Sequence, residues 1–196
     1  RAFDLAGHQK LEEEPYDFVR KRLSILVASP QTHLLITKGA VESMLGICLH
    51  AERGSGELVP IDQVRRPVRE QVRQLSGQGF RTIGLAIRDM GGLDRVSKEH
   101  EAGMTFLGLL VFADPTKSGI AETVWTLRRL GVALKIVTGD QALVAVHVGR
   151  EVGLTDPQLL TGNDLRGMSE EALRARAAEI DIFAEIEPNQ KERIIR

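Results

Sequence analysis

Apolar positions along the chain change rhythm near its middle. In the first half two β-prone runs, Ser24 to Ser29 and His33 to Thr37, flank Ser29-Pro30-Gln31-Thr32. A proline-containing turn between two such runs predicts a hairpin. Val41, Met44, Leu45, Cys48 and Leu49 then recur at helical spacing, which predicts a helix with one apolar face. A second helix is predicted over Pro67 to Ser76, with Val68, Val72 and Leu75 as its stripe. Pro67 suits the first helical position, where no N–H is needed, and Gly77 and Gly79 suit the end. Thr82 to Ile87 reads as a third strand, and the polar, glycine-containing stretch from Asp89 to Gly103 as a surface linker.

Beyond that stretch strands and helices alternate. Phe106 to Ala113 is an apolar run of buried-strand type, Ile120 to Leu130 a helix, and Val132 to Val137 a second strand. A helix over Gln141 to Val152 closes at Gly153. Ser169 to Glu179 predicts another helix with Ser169 as N-cap, Ile182 to Ala184 a short strand, and Pro188 a last helix start. The predicted fold class is therefore α/β overall. An α+β domain with an antiparallel sheet (1–103) is followed by a domain with a parallel sheet covered on both faces (104–196).

Composition narrows the function classes. The 196 residues carry a formal net charge of -1, so no basic excess points to nucleic acid. Cys48 is the single cysteine, which excludes an intrachain disulfide and suits a reducing setting. Its apolar neighbours make it a small buried hydrophobe rather than a reactive thiol. No apolar run reaches the roughly 20 residues a membrane-spanning helix needs. Arg1 opens inside what reads as ongoing sequence and Arg196 stops within a helical pattern, so the chain is expected to be a piece of a longer one. His8, His33, His50, His100 and His147 show no metal-ligand spacing with Cys48, and no metal site is assigned. Trp125 is expected in the core, and the Arg65-Arg66 and Arg128-Arg129 pairs on solvated faces.

Candidate chemistry sits at predicted strand ends of the second half, where parallel α/β sheets bind ligands beside helix N-termini. One strand ends in Asp114-Pro115-Thr116-Lys117 and the next in Thr138-Gly139-Asp140. Thr138 offers a hydroxyl, Gly139 lets backbone N–H groups approach an anion, and the helix from Gln141 adds partial positive charge. Glu187-Pro188-Asn189-Gln190-Lys191 follows the short strand and aims an ammonium toward the same place. Taken singly these are also a helix cap and a solvated lysine; their combined spacing favours a phosphoryl site. Gly77-Gln78-Gly79 leaves a helix and enters a strand, the wrong order for a dinucleotide loop. Walker A, Ser-His-Asp and Asp-x-Asp sequences are missing.

These residues resemble the P-type ATPase family. Asp114-Pro115-Thr116-Lys117 is similar to its Asp-Pro-Pro-Arg/Lys hinge, with Thr116 in place of the second proline. Thr138-Gly139-Asp140 matches its Thr-Gly-Asp motif, and the Lys191 segment resembles the one bearing its phosphate-facing lysine. Lys38-Gly39-Ala40-Val41-Glu42 matches its Lys-Gly-Ala-x-Glu signature. Pro15 to Ser24 resembles the strand start bearing the adenine-stacking aromatic, and Gly79 to Ala86 the segment bearing an ATP-contacting arginine. Within the family the wording is closest to bacterial magnesium-transporting ATPases.

The resemblance implies a nucleotide-binding domain over 1–103 and part of a haloacid-dehalogenase-like phosphorylation domain over 104–196. It implies that Tyr16 stacks on adenine and that Lys21, Lys38 and Gly39 line the ATP pocket. Arg81 reaches phosphates or ribose. Thr138, Gly139, Asp140 and Lys191 border the phosphoryl group and Mg²⁺, and Asp114 belongs to the hinge. The implied partners are ATP, Mg²⁺ in the full pump, and further phosphorylation, actuator and transmembrane domains of the same polypeptide. The implied location is the cytoplasmic face of the plasma or bacterial inner membrane. The Asp-Lys-Thr-Gly-Thr acceptor motif and the Gly-Asp-Gly-x-Asn-Asp motif do not occur in these residues, so binding without turnover is expected. A stand-alone nucleotide-binding module and a haloacid-dehalogenase-type phosphatase remain alternatives.

Overall fold

Residues 7–195 are described in the computed structural model. Arg1 and Arg196, on which the expectation of a longer chain rested, lie outside the described residues. The chain divides into two compact units: one runs to Gln71 and includes Thr82–Val111, and the other comprises Val72–Arg81 and Phe112 onward. In the later part of the chain the division falls between Val111 and Phe112.

In the first unit the β-branched and leucine-rich runs pair with chain neighbours. Strands β1 (Gln9–Asp17), β2 (Arg22–Ala28) and β3 (His33–Gly39) form an antiparallel meander. Helix α1 (Val41–Ile47), strands β4 (Cys48–Glu52) and β5 (Leu58–Pro60), helix α2 (Asp62–Gly77), whose residues from Val72 on are assigned to the other unit, and strands β6 (Arg81–Asp89) and β7 (Met104–Phe112) follow. The sheet order is β1-β2-β3-β6-β7-β4-β5. It is mixed but mostly antiparallel, with β4 parallel to β7.

Several expectations change here. The apolar run from Phe106 does not open the second sheet; as β7 it completes the first, between β6 and β4. The first helix stops at Ile47, because Cys48 turns extended (φ -92, ψ 139) and enters β4. The next helix starts at Asp62, leaving Pro67 inside it. Exposure of Pro67 lets water serve the carbonyl left without a donor. The stretch from Asp89 to Gly103 is anchored rather than a free linker: Met90 and Glu101 are buried and Lys98–His100 forms a 3-10 turn.

Strand alternation gives the first sheet two unlike faces. Leu26, Leu35, Ser24, Thr37, Gly39, Gly84 and Ala86 lie on one face by register, and all are buried. Helix α1 covers this face, with Met44 packed on Gly84. Leu23, Ile25, Val27, Leu34, Ile36, Leu85 and Ile87 point the other way and stay half-buried. Cys48 is buried, and burial pushes its thiol up to about 12. A maleimide added to the native chain at neutral pH is therefore expected to label Cys48 only as fast as the unit unfolds. Rapid stoichiometric labelling in the native state would contradict this burial.

The second unit is built on a parallel sheet of β8 (Ile136–Val137), β9 (Leu159–Thr161) and β10 (Ile182–Ala184), in the order β8-β10-β9. Helix α3 (Ile120–Arg129) precedes β8, and α4 (Ala142–Glu151) follows it. Helices α5 (Gly162–Arg166) and α6 (Glu170–Ala177) lie between β9 and β10, and α7 (Pro188–Ile195) follows β10. All three residues of β10 are buried. Ile182 and Ala184 join Val124, Ala145, Val152 and Leu154 on one side, and Phe183 joins Leu160, Leu165, Leu173 and Ile186 on the other. A central strand covered on both faces is the pattern of a parallel sheet.

The strand expected from Val132 shrinks to Ile136–Val137. Ser169 caps α6 by accepting from the Ala172 N–H, as its sequence position suggested. Trp125 is not in the core: it is 58% exposed, with the Arg129 guanidinium stacked 4.7 Å from its ring centre. The two arginine pairs also hold specific contacts. Arg65 donates to Asp62 and to the Leu45 carbonyl, and Arg128 to the Gly153 carbonyl.

Candidate nucleotide site

The register at the end of the first hairpin decides which predicted residues meet. Glu14 pairs with Ser24 and Asp17 with Arg22, so Pro15 and Tyr16 together oppose Leu23. Two residues against one make a β-bulge, a place where proline is tolerated because ladder hydrogen bonding is already broken. Beyond the bulge Asp17 shares the α1-covered face with Arg20 and Arg22, and Tyr16 faces the opposite way. Leu23 pairs with Lys38, and Lys38 with Leu85. Tyr16, Leu23, Lys38 and Leu85 thus form one cross-strand row on the half-open face. Neighbouring strands lie about 4.8 Å apart, which puts the Tyr16 and Lys38 positions roughly 10 Å apart. Tyr16 is 49% exposed and Lys38 is exposed.

The turn from β1 to β2 is held from below. The Asp17 carboxylate accepts from the Val19 and Arg20 N–H groups at 2.7 and 3.0 Å, and the Lys21 N–H donates to the Asp17 carbonyl at 2.6 Å. The Arg20 N–H, then that of Val19, holds the Asp17 carboxyl down at about 2. Lys21 sits in the left-handed region (φ 54), exposed, and its carbonyl accepts from the Ala40 N–H at 2.9 Å. Gly39 fits beneath it with no room to spare: a Cβ there would lie 2.5 Å from the Lys21 carbonyl oxygen and 2.5 Å from the Arg22 Cβ.

Glu101, absent from the sequence-based candidates, anchors this turn. Its carboxylate is buried and accepts from Arg20, from Arg22 at 2.7 Å and from Ser24 at 2.7 Å. Ser24 in turn meets Thr37 at 2.7 Å, and Ser43 donates to the Arg20 carbonyl at 2.6 Å. Burial opposes ionisation of Glu101; the hydrogen bonds from Arg20, Ser24 and Arg22 overcome it and hold its pKa below the ordinary value.

In the second unit the loops after β8 and β10 are tied together. The Glu185 N–H donates to the Asp140 carbonyl at 2.9 Å and the Ile186 N–H to the Thr138 carbonyl at 3.0 Å. Thr138, Gly139 and Asp140 therefore cluster with the segment that leads to Lys191, which is exposed on the first turn of α7. The Thr138 hydroxyl donates to the Asp140 carboxylate at 2.9 Å and accepts from the Asp140 N–H at 3.1 Å. The start of α4 is also engaged, since the Ala142 N–H donates to the Glu185 carboxylate at 3.2 Å. Glu185 itself adopts a positive φ of 58. Arg81 belongs with this unit: its guanidinium bridges Asp140 at 2.8 Å and Asp114 at 3.2 Å. Among the described residues no group of three or more His, Cys, Asp or Glu side chains is placed to hold a metal ion.

The family description "P-type ATPase, cytoplasmic domain N" matches residues 5–119, more than half of the chain. The chain belongs to the P-type ATPase family. It is 36% identical over 99% of its length to magnesium-transporting ATPase, P-type 1 of Salmonella typhimurium, strain LT2. Identity to the protein of that name in Escherichia coli K12 is 34% over 95% of the chain. Calcium-transporting ATPase PAT1 of Dictyostelium discoideum is 31% identical over 94% of the chain. The chain spans only 22%, 21% and 17% of these relatives' own lengths. Among the described residues no helix is long and apolar enough to cross a membrane.

Proposed function

We propose that this P-type ATPase segment is the ATP-binding cytoplasmic portion of a cation pump, with magnesium as the transported ion. The observation that carries the reading is the single row of Tyr16, Leu23 and Lys38 on a half-open apolar face. An aromatic ring and aliphatic side chains suit a purine, and an ammonium two strands away suits its phosphates. Lys21 and the close backbone approach at Gly39 border the same end of the sheet. Residues 1–103 act as the nucleotide-binding domain and 104–196 as part of the phosphorylation domain. In the second, Thr138, Gly139, Asp140 and Lys191 face the transferred phosphoryl group and Asp114 serves the hinge; Arg81, within 1–103, turns to the phosphates.

Base–aromatic stacking contributes about 1–3 kcal/mol. Each charge-assisted contact adds roughly 1.5–3 kcal/mol before ordering costs. A dissociation constant of about millimolar or somewhat below follows, which suits a domain that releases nucleotide in every cycle. In the whole pump the γ-phosphoryl passes to an aspartate outside these residues, with Mg²⁺ accompanying the nucleotide. The remaining phosphorylation, actuator and transmembrane domains complete the machine at the membrane's cytoplasmic face.

ATP titrated into the chain is expected to shift amide signals around Tyr16, Lys21 and Lys38. Tyr16→Ala is expected to weaken binding on the order of tenfold, and Tyr16→Phe to preserve it. The chain alone is expected to release no phosphate. Unchanged affinity in Tyr16→Ala would remove the stacking role. The stand-alone-module reading would instead gain from a native reading frame ending at Arg196.

A further inference from the structure

Phe18 lies between Tyr16 and Lys21 in the turn from β1 to β2. It is 64% exposed, an unusual position for a phenylalanine that has apolar sheet surface beside it. Its ring is not adrift: it meets Tyr16 edge-to-face, with centroids 5.2 Å apart and planes at 87°. The backbone under it is fixed by the Asp17 carboxylate on one side and by the Lys21 contacts on the other. Arg20, two residues on, is locked to buried Glu101. A pinned turn therefore presents one ring against another at a set angle.

We propose that Phe18 is a positioning residue for nucleotide binding: its edge-to-face contact fixes the Tyr16 ring in the orientation that receives the base. The inference rests on the ATP-site reading above. A ring with two free torsions and half its surface in water samples several rotamers. Binding selects one of them, and the others lower the apparent affinity by the fraction they occupy. An aromatic neighbour on a rigid turn removes those alternatives before the nucleotide arrives. Phe18 then acts on the base end alone, so ATP, ADP and AMP feel its loss equally.

The test is a set of ATP, ADP and AMP titrations on the full 196-residue chain, in wild type, Phe18→Ala, Phe18→Tyr, Tyr16→Ala and the Phe18→Ala/Tyr16→Ala double variant. Phe18 is mostly exposed, so Phe18→Ala should keep the wild-type unfolding midpoint. Loss of an aromatic pair is expected to weaken all three nucleotides by about three- to tenfold in Phe18→Ala. Phe18→Tyr, which retains a ring, should restore wild-type affinity. The double variant should bind as Tyr16→Ala does, because Phe18 works only through Tyr16. If Tyr16→Ala weakens binding while Phe18→Ala does not, or if the two losses add in full, the positioning role falls and the ATP site stands. If Tyr16→Ala binds as wild type, the ATP-site reading falls and takes this inference with it.

Discussion

Glu101→Ala is expected to lower the unfolding free energy of the first unit by about 3–5 kcal/mol, the cost of breaking a buried ion pair by removing one partner. Glu101 is 2% exposed, and its carboxylate is the shared acceptor for Arg20, Arg22 and Ser24. Its removal takes the carboxylate away from the Arg22 guanidinium, whose side chain is 15% exposed, and leaves Arg20 with Asp17 and Glu14, each at 3.3 Å. Glu101→Gln should lose less, because its amide oxygen still accepts from Ser24.

The pH dependence follows from the direction of the shifts. Glu101 and Asp17 both have folded-state pKa values below their ordinary ones. The stability they confer is present above the ordinary carboxylate range and is lost as pH falls through the folded values, near 2 for Asp17. Urea unfolding at pH 7, 5, 4 and 3 should show stability falling toward acid in wild type and a shallower fall in Glu101→Gln. A loss under about 1 kcal/mol in Glu101→Ala would mean that water already serves both arginines. Because Arg20 belongs to the turn that bears Tyr16 and Phe18, ATP affinity should fall in the same variant.

Gly39→Ala is expected to damage folding and nucleotide binding together. The added methyl would stand 2.5 Å from the Lys21 carbonyl oxygen and 2.8 Å from the Arg22 Cα. These are backbone atoms of the paired strand and cannot step aside as a side chain tip does. Relief requires β2 and β3 to separate at the Arg22–Gly39 pair, at a cost of about 1–3 kcal/mol. The separation falls beside Leu23–Lys38, so ATP affinity should drop severalfold even where the chain remains folded. Thermal unfolding and ATP titration on one sample measure both effects. Gly46→Ala, with open space around the added methyl, is the control. An unchanged melting midpoint in Gly39→Ala would show that the close approach is not a constraint.

Local signals in the sequence carried the parts of the fold that are local. The β2–β3 hairpin, the Ser169 cap and the strand over Ile182–Ala184 each depend on a few adjacent residues, and each forms as expected. Parallel alternation in the second unit was legible for the same reason. Strand β7 was assigned to the wrong sheet, since an apolar run reads alike whichever partner it finds. Strand β4 was hidden because Cys48 and Leu49 continue the helical spacing of α1 while the chain turns extended. Strand β9 and helix α5 were missed, although Thr161 and Asp164 form a capping box whose residue types and spacing were available.

The candidate site divides in the same way. Motif residues on β1, β3 and the β1–β2 turn were nameable, and strand pairing then brings Tyr16 and Lys38 to one face. Glu101 was invisible because its arginine partners lie 81 and 79 residues away. Glu185 at the start of α4 was equally unreadable, since a loop from β10 delivers it. Trp125 shows that an apolar helical stripe does not reveal which members remain in water.

The doubled step at Pro15 and Tyr16 makes chain length, more than chemistry, the parameter that must be kept near the start of this unit. Removing Pro15 would restore one-to-one pairing with Tyr16 still opposite Leu23, but in a ladder without the bend and added twist that the extra residue gives. Homologous chains that share this architecture should therefore tolerate altered side chains there far better than altered spacing.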